Sequence, residues 1–210
     1  MSPRPVSLDR RRELAMAAFE VVRQRGTHDV TMSDLANALG MKRPTLYWYF
    51  RDLGHVFDTV LEQVLERQTR FIGERLARVE HPIDRLMAYA DSVEAFFARE
   101  GPMLISLLSF WGASQGDQPN RVIEIAMRSF LPLRAFAIEA LGDAVRERRA
   151  APCDAAGIVD LVSVVIDGFL LHRVARGLTW DEIRHTLWDR VLGPLRLPPR
   201  DLPPYEGATS

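Results

Sequence analysis

The sequence predicts an all-α protein of about nine helices, and three observations predict it. Apolar residues recur at i, i+4, i+7 and i+8 through most of the chain, the spacing of helices that bury one stripe. No segment shows sustained period-two alternation bounded by turn residues, so strand signals are scarce. Pro82, the Gly101-Pro102 pair, Gly116–Pro119, Pro152, Gly177 and a Pro-rich tail punctuate the periodic segments.

The first helix carries Leu14, Ala18, Val21 and Val22 on one stripe and is expected to stop at Gly26. Thr31 then stands three residues before Asp34 in a capping-box pattern, and Leu35, Ala36 and Leu39 make a second, short helix closed by Gly40. Met41, Lys42 and Arg43 form a turn, and Pro44 sits at the start of a third short helix whose Leu46 and Phe50 face inward. Asp52 is placed to cap a long fourth helix with Val56, Val60, Val64, Phe71 and Ile72 along its stripe. Beyond it, helices are expected at about 83–99, 102–113, 120–148, 154–176 and 180–193. The tail from 198 to 210, with four prolines between Pro198 and Pro204, is expected to be extended.

Composition narrows the class. Hydrophobic residues make up 47% and charged residues 26% of the chain, which fits a soluble globular protein and not a disordered one. The opening arginines lead straight into an amphipathic pattern, so no secretory leader is read. The longest uncharged stretch, Gly101 to Gly116, is shorter than a spanning helix requires. A single cysteine, Cys153, excludes an intrachain disulfide framework and fits a reducing compartment, so a cytoplasmic protein with no membrane association is expected. Cys153 is read either as a redox switch near a helix start or as a loop residue with no role. Net charge is −1, but residues 1–60 carry nine Lys/Arg against seven Asp/Glu, so the first part is weakly basic and the remainder acidic.

Two short helices joined by a Gly-containing turn and packed by a preceding helix have the geometry of a helix-turn-helix. The second short helix would read DNA with Lys42, Arg43, Pro44, Thr45, Tyr47, Trp48 and Tyr49. Arg pairs bidentately with guanine, hydroxyls bond phosphates or bases, and aromatic faces pack on thymine methyls and sugars. The same pattern occurs in helical bundles without nucleic acid, where aromatics are core. Three consecutive aromatics cannot all share one buried face, however, so at least one is exposed or covered by a partner.

The stretch from Thr31 to Val56, TMSDLANALGMKRPTLYWYFRDLGHV, resembles the N-terminal signature of the TetR family of transcriptional regulators, in a tetracycline-repressor-like form with PTLYW. The resemblance covers residues 8–60. It implies a DNA-binding domain over residues 1–55, with phosphate contacts from Thr31 to Ser33 and base or backbone contacts from the recognition helix. It also implies an effector-binding and dimerisation domain over 56–197. Leu53 departs from the pattern, since family members usually place a phosphate-gripping Lys there, and Lys42 stands where Ser or Glu is frequent. Arg10, Arg11 and Arg12, read as preceding the first helix, either grip DNA backbone or form a solvated basic end.

Helix 154–176 is apolar around more than one face and must be buried on several sides. With Trp180 to Leu192 it is similar to the helix pair through which the family dimerises, so Ile158, Leu161, Val162, Val165, Phe169, Leu187 and Val191 are the expected homodimer interface. The alternative is the central helix of a monomer. The family also implies a cavity for a small hydrophobic or amphipathic effector, with Phe71, Phe96, Met103, Leu107, Phe110, Trp111, Met127 and Phe130 as lining and His172 as a polar anchor. Ordinary core packing accounts for most of these residues equally well.

The expected function is therefore a ligand-responsive repressor binding palindromic double-stranded operator DNA as a dimer. The effector would act by shifting the fourth helix. The alternative is a helical interaction or ligand-sensing module of the same fold with DNA binding lost, which Leu53 favours. No metal-ligand spacing joins the five histidines, and no nucleophile elbow, phosphate loop or dinucleotide fingerprint is present. Neither an enzyme nor a cofactor is expected.

Overall fold

The computed structural model describes residues 7–25, 30–113 and 118–197. Among them are eight α-helices and no strand: α1 (Leu8–Arg25), α2 (Met32–Ala38), α3 (Arg43–Tyr49), α4 (Leu53–Leu76), α5 (Pro82–Ala113), α6 (Gln118–Arg146), α7 (Ala155–Arg176) and α8 (Trp180–Leu187). The expected stop at Gly26, the loop near Gly116 and the tail from 198 lie outside the described residues.

Three expectations need correction. The segments 83–99 and 102–113 are one helix, α5, which runs unbroken through Gly101-Pro102. A proline removes one main-chain hydrogen bond and crowds the preceding turn. Phe96 before the pair and Met103 after it lie two turns apart and pack on the same core, so burial on both sides holds one helix through the pair. The last helix is also shorter than expected. α8 ends at Leu187 and widens into a π turn over Trp188–Leu192, followed by a tight turn at Gly193–Leu195. Only glycine fits at 193, because a Cβ there would stand 2.9 Å from the Trp188 carbonyl oxygen. Finally, Arg10, Arg11 and Arg12 do not precede α1; they lie in its first turns. Arg10 pairs with Glu13 at 2.9 Å and Arg12 with Glu66 of α4 at 2.6 Å.

The chain forms two compact units, Met1–Ile72 with Ala95–Pro132, and Gly73–Glu94 with Leu133–Ser210. In the first, the helix stripes meet in one core. Leu14, Ala18, Phe19 and Val22 of α1 close on Leu35, Leu46, Phe50, Val56, Phe57 and Val60, with Phe19 edge-on to Phe57 at 5.7 Å. Phe96 and Ile125 belong to this same core.

In the second unit, Ile83, Leu86, Met87 and Ala90 pack with Leu141, Ala144, Val159, Val162, Leu187 and Leu192. Polar clasps set the helix registers there. Asp91 accepts from Trp180 Nε1 at 2.7 Å and Arg184 Nε at 2.8 Å. Arg173 bonds Glu94 at 2.6 Å, and Arg134 holds Asp160 through two parallel bonds at 2.6 and 2.7 Å.

Candidate nucleic-acid interface

The reader is assembled by local chemistry. Thr31 Oγ1 accepts the Asp34 N–H at 3.2 Å while Asp34 Oδ2 accepts the Thr31 N–H at 2.9 Å, a reciprocal capping box that starts α2. α2 ends on Leu39, and Gly40 takes φ +64°, which a side chain with a Cβ adopts only under strain. The Met41 N–H then returns to the Ala36 carbonyl at 2.8 Å, which turns the chain sharply into α3. Pro44 sits in the first turn of α3, where its missing N–H costs nothing.

α3 is held by Leu46 and the following Phe50, both fully buried. With that face fixed, the rest of the short helix must look outward. Lys42, Arg43, Pro44 and Thr45 are exposed, Tyr47 is 41% and Trp48 46% exposed, and Tyr49 is half-buried against the core. The aromatic triplet is thus split, two rings outward and one inward. The Arg43 guanidinium lies over the Tyr47 ring at 5.4 Å and one of its N–H groups reaches the Tyr47 hydroxyl at 3.3 Å. This stacking preorganises both side chains on one surface. Trp48 stands edge-on to Tyr49 at 4.9 Å. Thr31 is exposed and Ser33 half-buried at the start of α2.

Among the described residues, Lys42, Arg43 and Arg51 make no ion pair, whereas Arg10, Arg12 and Arg23 are each paired with a glutamate. Three cations without an ion pair among the described residues, Lys42, Arg43 and Arg51, thus lie in or next to α3. Leu53 is partly buried on the core, so the apolar residue at the start of α4 has a packing role. Two residues that sequence reasoning passed over stand nearby. Arg51 is exposed in the turn after α3. The Asp52 carboxylate caps α4 by accepting the His55 N–H at 2.7 Å, and His55 Nδ1 accepts the Arg51 N–H at 3.3 Å. The His55 ring lies edge-on to Phe50 at 5.8 Å, and burial, with Arg51 and Arg11 close by, lowers its pKa below the ordinary 6.5. Asp52 was legible as a cap; the histidine three residues on carried no signal of its own.

The residues expected around an effector divide. Phe71 and Phe96 meet at 5.9 Å in the first unit, where Met103 also packs on the core. Met127 is exposed and Phe130 half-buried on α6 in that unit. The side chains of Leu107, Phe110 and Trp111 lie outside the described residues. His172 is exposed on α7, in the second unit. Of the residues expected at a dimer interface, Val162, Phe169 and Leu187 are buried within the chain itself. Ile158, Val165 and Val191 pack partly on the same core. Leu161 faces solvent, in line with Val164 and Leu171, which are 67% and 70% exposed.

Known proteins share this arrangement. Residues 15–57 match the model of the bacterial regulatory proteins of the tetR family. The chain is 27% identical over 165 residues to the HTH-type transcriptional regulator BetI of Brucella anthropi, covering 77% of this chain and 80% of that protein. The fold is also that of the transcriptional regulator FadR of Bacillus subtilis, solved with stearoyl-CoA. That likeness has a TM-score of 0.65 at 14% identity, over 88% of this chain and 98% of the other. The TetR family regulator PfmR of Thermus thermophilus matches with a TM-score of 0.58 at 18% identity, over 88% and 99%. With a reader of this geometry under a matching family model, residues 15–57 form the DNA-binding domain of the bacterial regulatory proteins of the tetR family, and the chain is a DNA-binding transcriptional regulator.

Proposed function

We propose that the chain binds a palindromic operator as a C2 homodimer and releases it when a small, largely apolar effector enters beside Phe71, Phe96 and Met103. The observation that carries the DNA half is the exposed surface of Lys42, Arg43, Thr45, Tyr47 and Trp48, whose cations have no acidic partner among the described residues. Cations left unpaired in this way are available to displace counterions from phosphates. Thr31 and Ser33 would hold phosphates from the start of α2, with Pro44 and Tyr49 completing the recognition helix. In this reading residues 1–55 are the reader and 56–197 the effector-binding and dimerising part. Leu53, where family members usually place a Lys, is partly buried against the core and so has a packing role.

The effector half rests on a shared core. Phe96 and Ile125 are buried in the same cluster as Leu46 and Phe50, and Phe71 and Met103 pack against it. A ligand that pushed Phe71 and Phe96 apart would strain α4 and, through the close-packed core, the seat of α3. FadR, solved with stearoyl-CoA, supplies a precedent for a long apolar ligand in this fold. The dimer is supported by α7, whose Leu161, Val164 and Leu171 form an exposed apolar stripe. Ala155–Arg173 is long and apolar enough to cross a bilayer, but Asp160 and Arg173 are tied to Arg134 and Glu94, which favours cover by a second copy over lipid.

Electrophoretic mobility shift with the intergenic DNA beside the chain's own gene tests the reading. A retarded complex that is lost in Tyr47→Ala with the dimer intact supports it. No retardation at low salt would overturn it in favour of a module that keeps the fold without DNA.

A further inference from the structure

Beside the Phe71–Phe96 pair lies a charged cluster with an unbalanced account. Arg67 stands one turn before Phe71 on α4, and Arg99 and Glu100 follow Phe96 on α5. The two guanidiniums share one carboxylate: Arg67 Nη2 is 3.6 Å from Glu100 Oε2 and Arg99 Nε is 3.5 Å from Glu100 Oε1. Both separations exceed the usual 2.7–2.9 Å of a charge-assisted hydrogen bond, so Glu100 holds neither arginine tightly. The Arg99 guanidinium meanwhile lies over the rings of Phe71 and Phe96, at 5.1 and 5.7 Å. The Arg67 side chain is 39% exposed, but its inner Nε is shielded from water and has no hydrogen-bond partner among the described residues. A buried donor on a charged group without an acceptor is costly and is seldom left so in a native protein. The cluster thus has one more positive charge than negative and one donor without an acceptor, against an aromatic wall.

We infer that the effector is an amphipathic carboxylate whose apolar body packs on Phe71 and Phe96 and whose head accepts the Arg67 Nε–H. This rests on the apolar-effector reading above and adds the identity of the head group. Glu100 is then the internal competitor: in the free protein it occupies the positive field that the ligand carboxylate takes over. Because Arg67 is on α4, capture of the head group acts on the helix that carries the reader.

The test compares probes with one tail and different heads on the full chain. Hexanoate, octanoate, decanoate and dodecanoate are titrated beside the alcohols and amines of the same lengths, with binding read by calorimetry. Octanoate or a neighbouring length is expected to bind roughly ten- to a hundred-fold tighter than its alcohol, the range for one hydrogen bond to a charged group. Arg67→Met keeps the apolar stem and is expected to erase that preference while leaving alcohol binding unchanged. Glu100→Gln removes the competitor and is expected to tighten the carboxylate several-fold, a gain that misfolding cannot produce. If the alcohol binds as well as the acid, or Glu100→Gln leaves acid affinity unchanged or weaker, the inference is overturned and the apolar-effector reading stands. If no probe of any length binds, both fall.

Discussion

The Asp58 carboxylate lies buried within α4, with one oxygen accepting the Nε–H of Arg121 on α6 and the other, Oδ1, without a partner among the described residues. A second pair, Glu62 with Arg128 at 3.1 Å, repeats the link one turn further along α4 and two turns further along α6. α4 is thus strapped to α6 by charge as well as by the core that Ile125 shares. The two ends of the Asp58 pair differ: the carboxylate is dry, whereas Arg121 is about half exposed.

That asymmetry sets the first prediction. Arg121→Ala strands a buried carboxylate and is expected to cost about 1.5–3 kcal/mol, the worth of a hydrogen bond to a charged group. Asp58→Asn keeps an acceptor and is expected to cost less. The double change Asp58→Leu with Arg121→Leu removes both the charge and its need for a partner and should recover most of the loss. Urea denaturation of the four proteins measures this; equal midpoints for Arg121→Ala and wild type would show that the strap carries no stability.

At the reader, Lys42 and Arg43 are expected to do separable things. Lys42 is exposed, makes no side-chain cap to α3 and has no acidic partner among the described residues, so on the proposed reading its charge is available to a phosphate. Lys42→Gln should weaken all sequences alike and lower the slope of log affinity against log salt by about 1. Arg43 is held over Tyr47 and aimed with it. Arg43→Ala should cost about 1–3 kcal/mol at one operator position and relax specificity there. A salt titration crossed with single-base operator variants separates the two, and identical profiles would sink the division of labour.

His55 provides a pH dependence whose sign follows from its surroundings. Burial chiefly, then Arg51 and Arg11, lower its folded pKa below 6.5, while Asp52 and Asp58 act the other way without prevailing. As pH falls through 6.5 the unfolded chain gains a proton that the folded chain resists. Stability therefore declines from pH 6.5 down to the folded pKa and this group contributes no further loss below it. Protonation would also take Nδ1 from the Arg51 N–H it accepts. Thermal unfolding at pH 7.5 and 5.5 should show a larger drop in Tm for wild type than for His55→Gln, and parallel drops would rule out His55 as the source.

How far these features were legible depends on whether their cause is local. Thr31, Asp34, Gly40 and Pro44 act through bonds and dihedrals within a few residues, so the capping box, the turn and α3 could be read from spacing alone. The unbroken α5 could not, since whether Gly101-Pro102 ends a helix depends on Phe96 and Met103 finding the same core. Arg67, Arg99 and Glu100 come together only when α4 and α5 pack, and no pattern in either segment announces it. α7 differs in kind: it is apolar on nearly every side, so periodicity does not say which face is used where.

The structure resolves that ambiguity into an experiment. Val162 packs in the second unit's own core and Ile166 and Phe169 are buried, Phe169 against Trp180 at 5.0 Å, whereas Leu161, Val164 and Leu171 stand in solvent at a spacing of three and seven residues. That spacing returns to the same helix face, as in a helix pair packed side by side. Val164→Lys replaces an exposed side chain and leaves the internal core untouched, so it should convert a dimer to a folded monomer. Operator affinity should then fall, because a monomer grips one half-site only. Phe169→Ala should do the reverse, keeping the outer stripe while costing about 3–5 kcal/mol of stability. Sedimentation velocity with far-UV circular dichroism distinguishes them. A Val164→Lys protein that stays dimeric would move the interface off this face of α7.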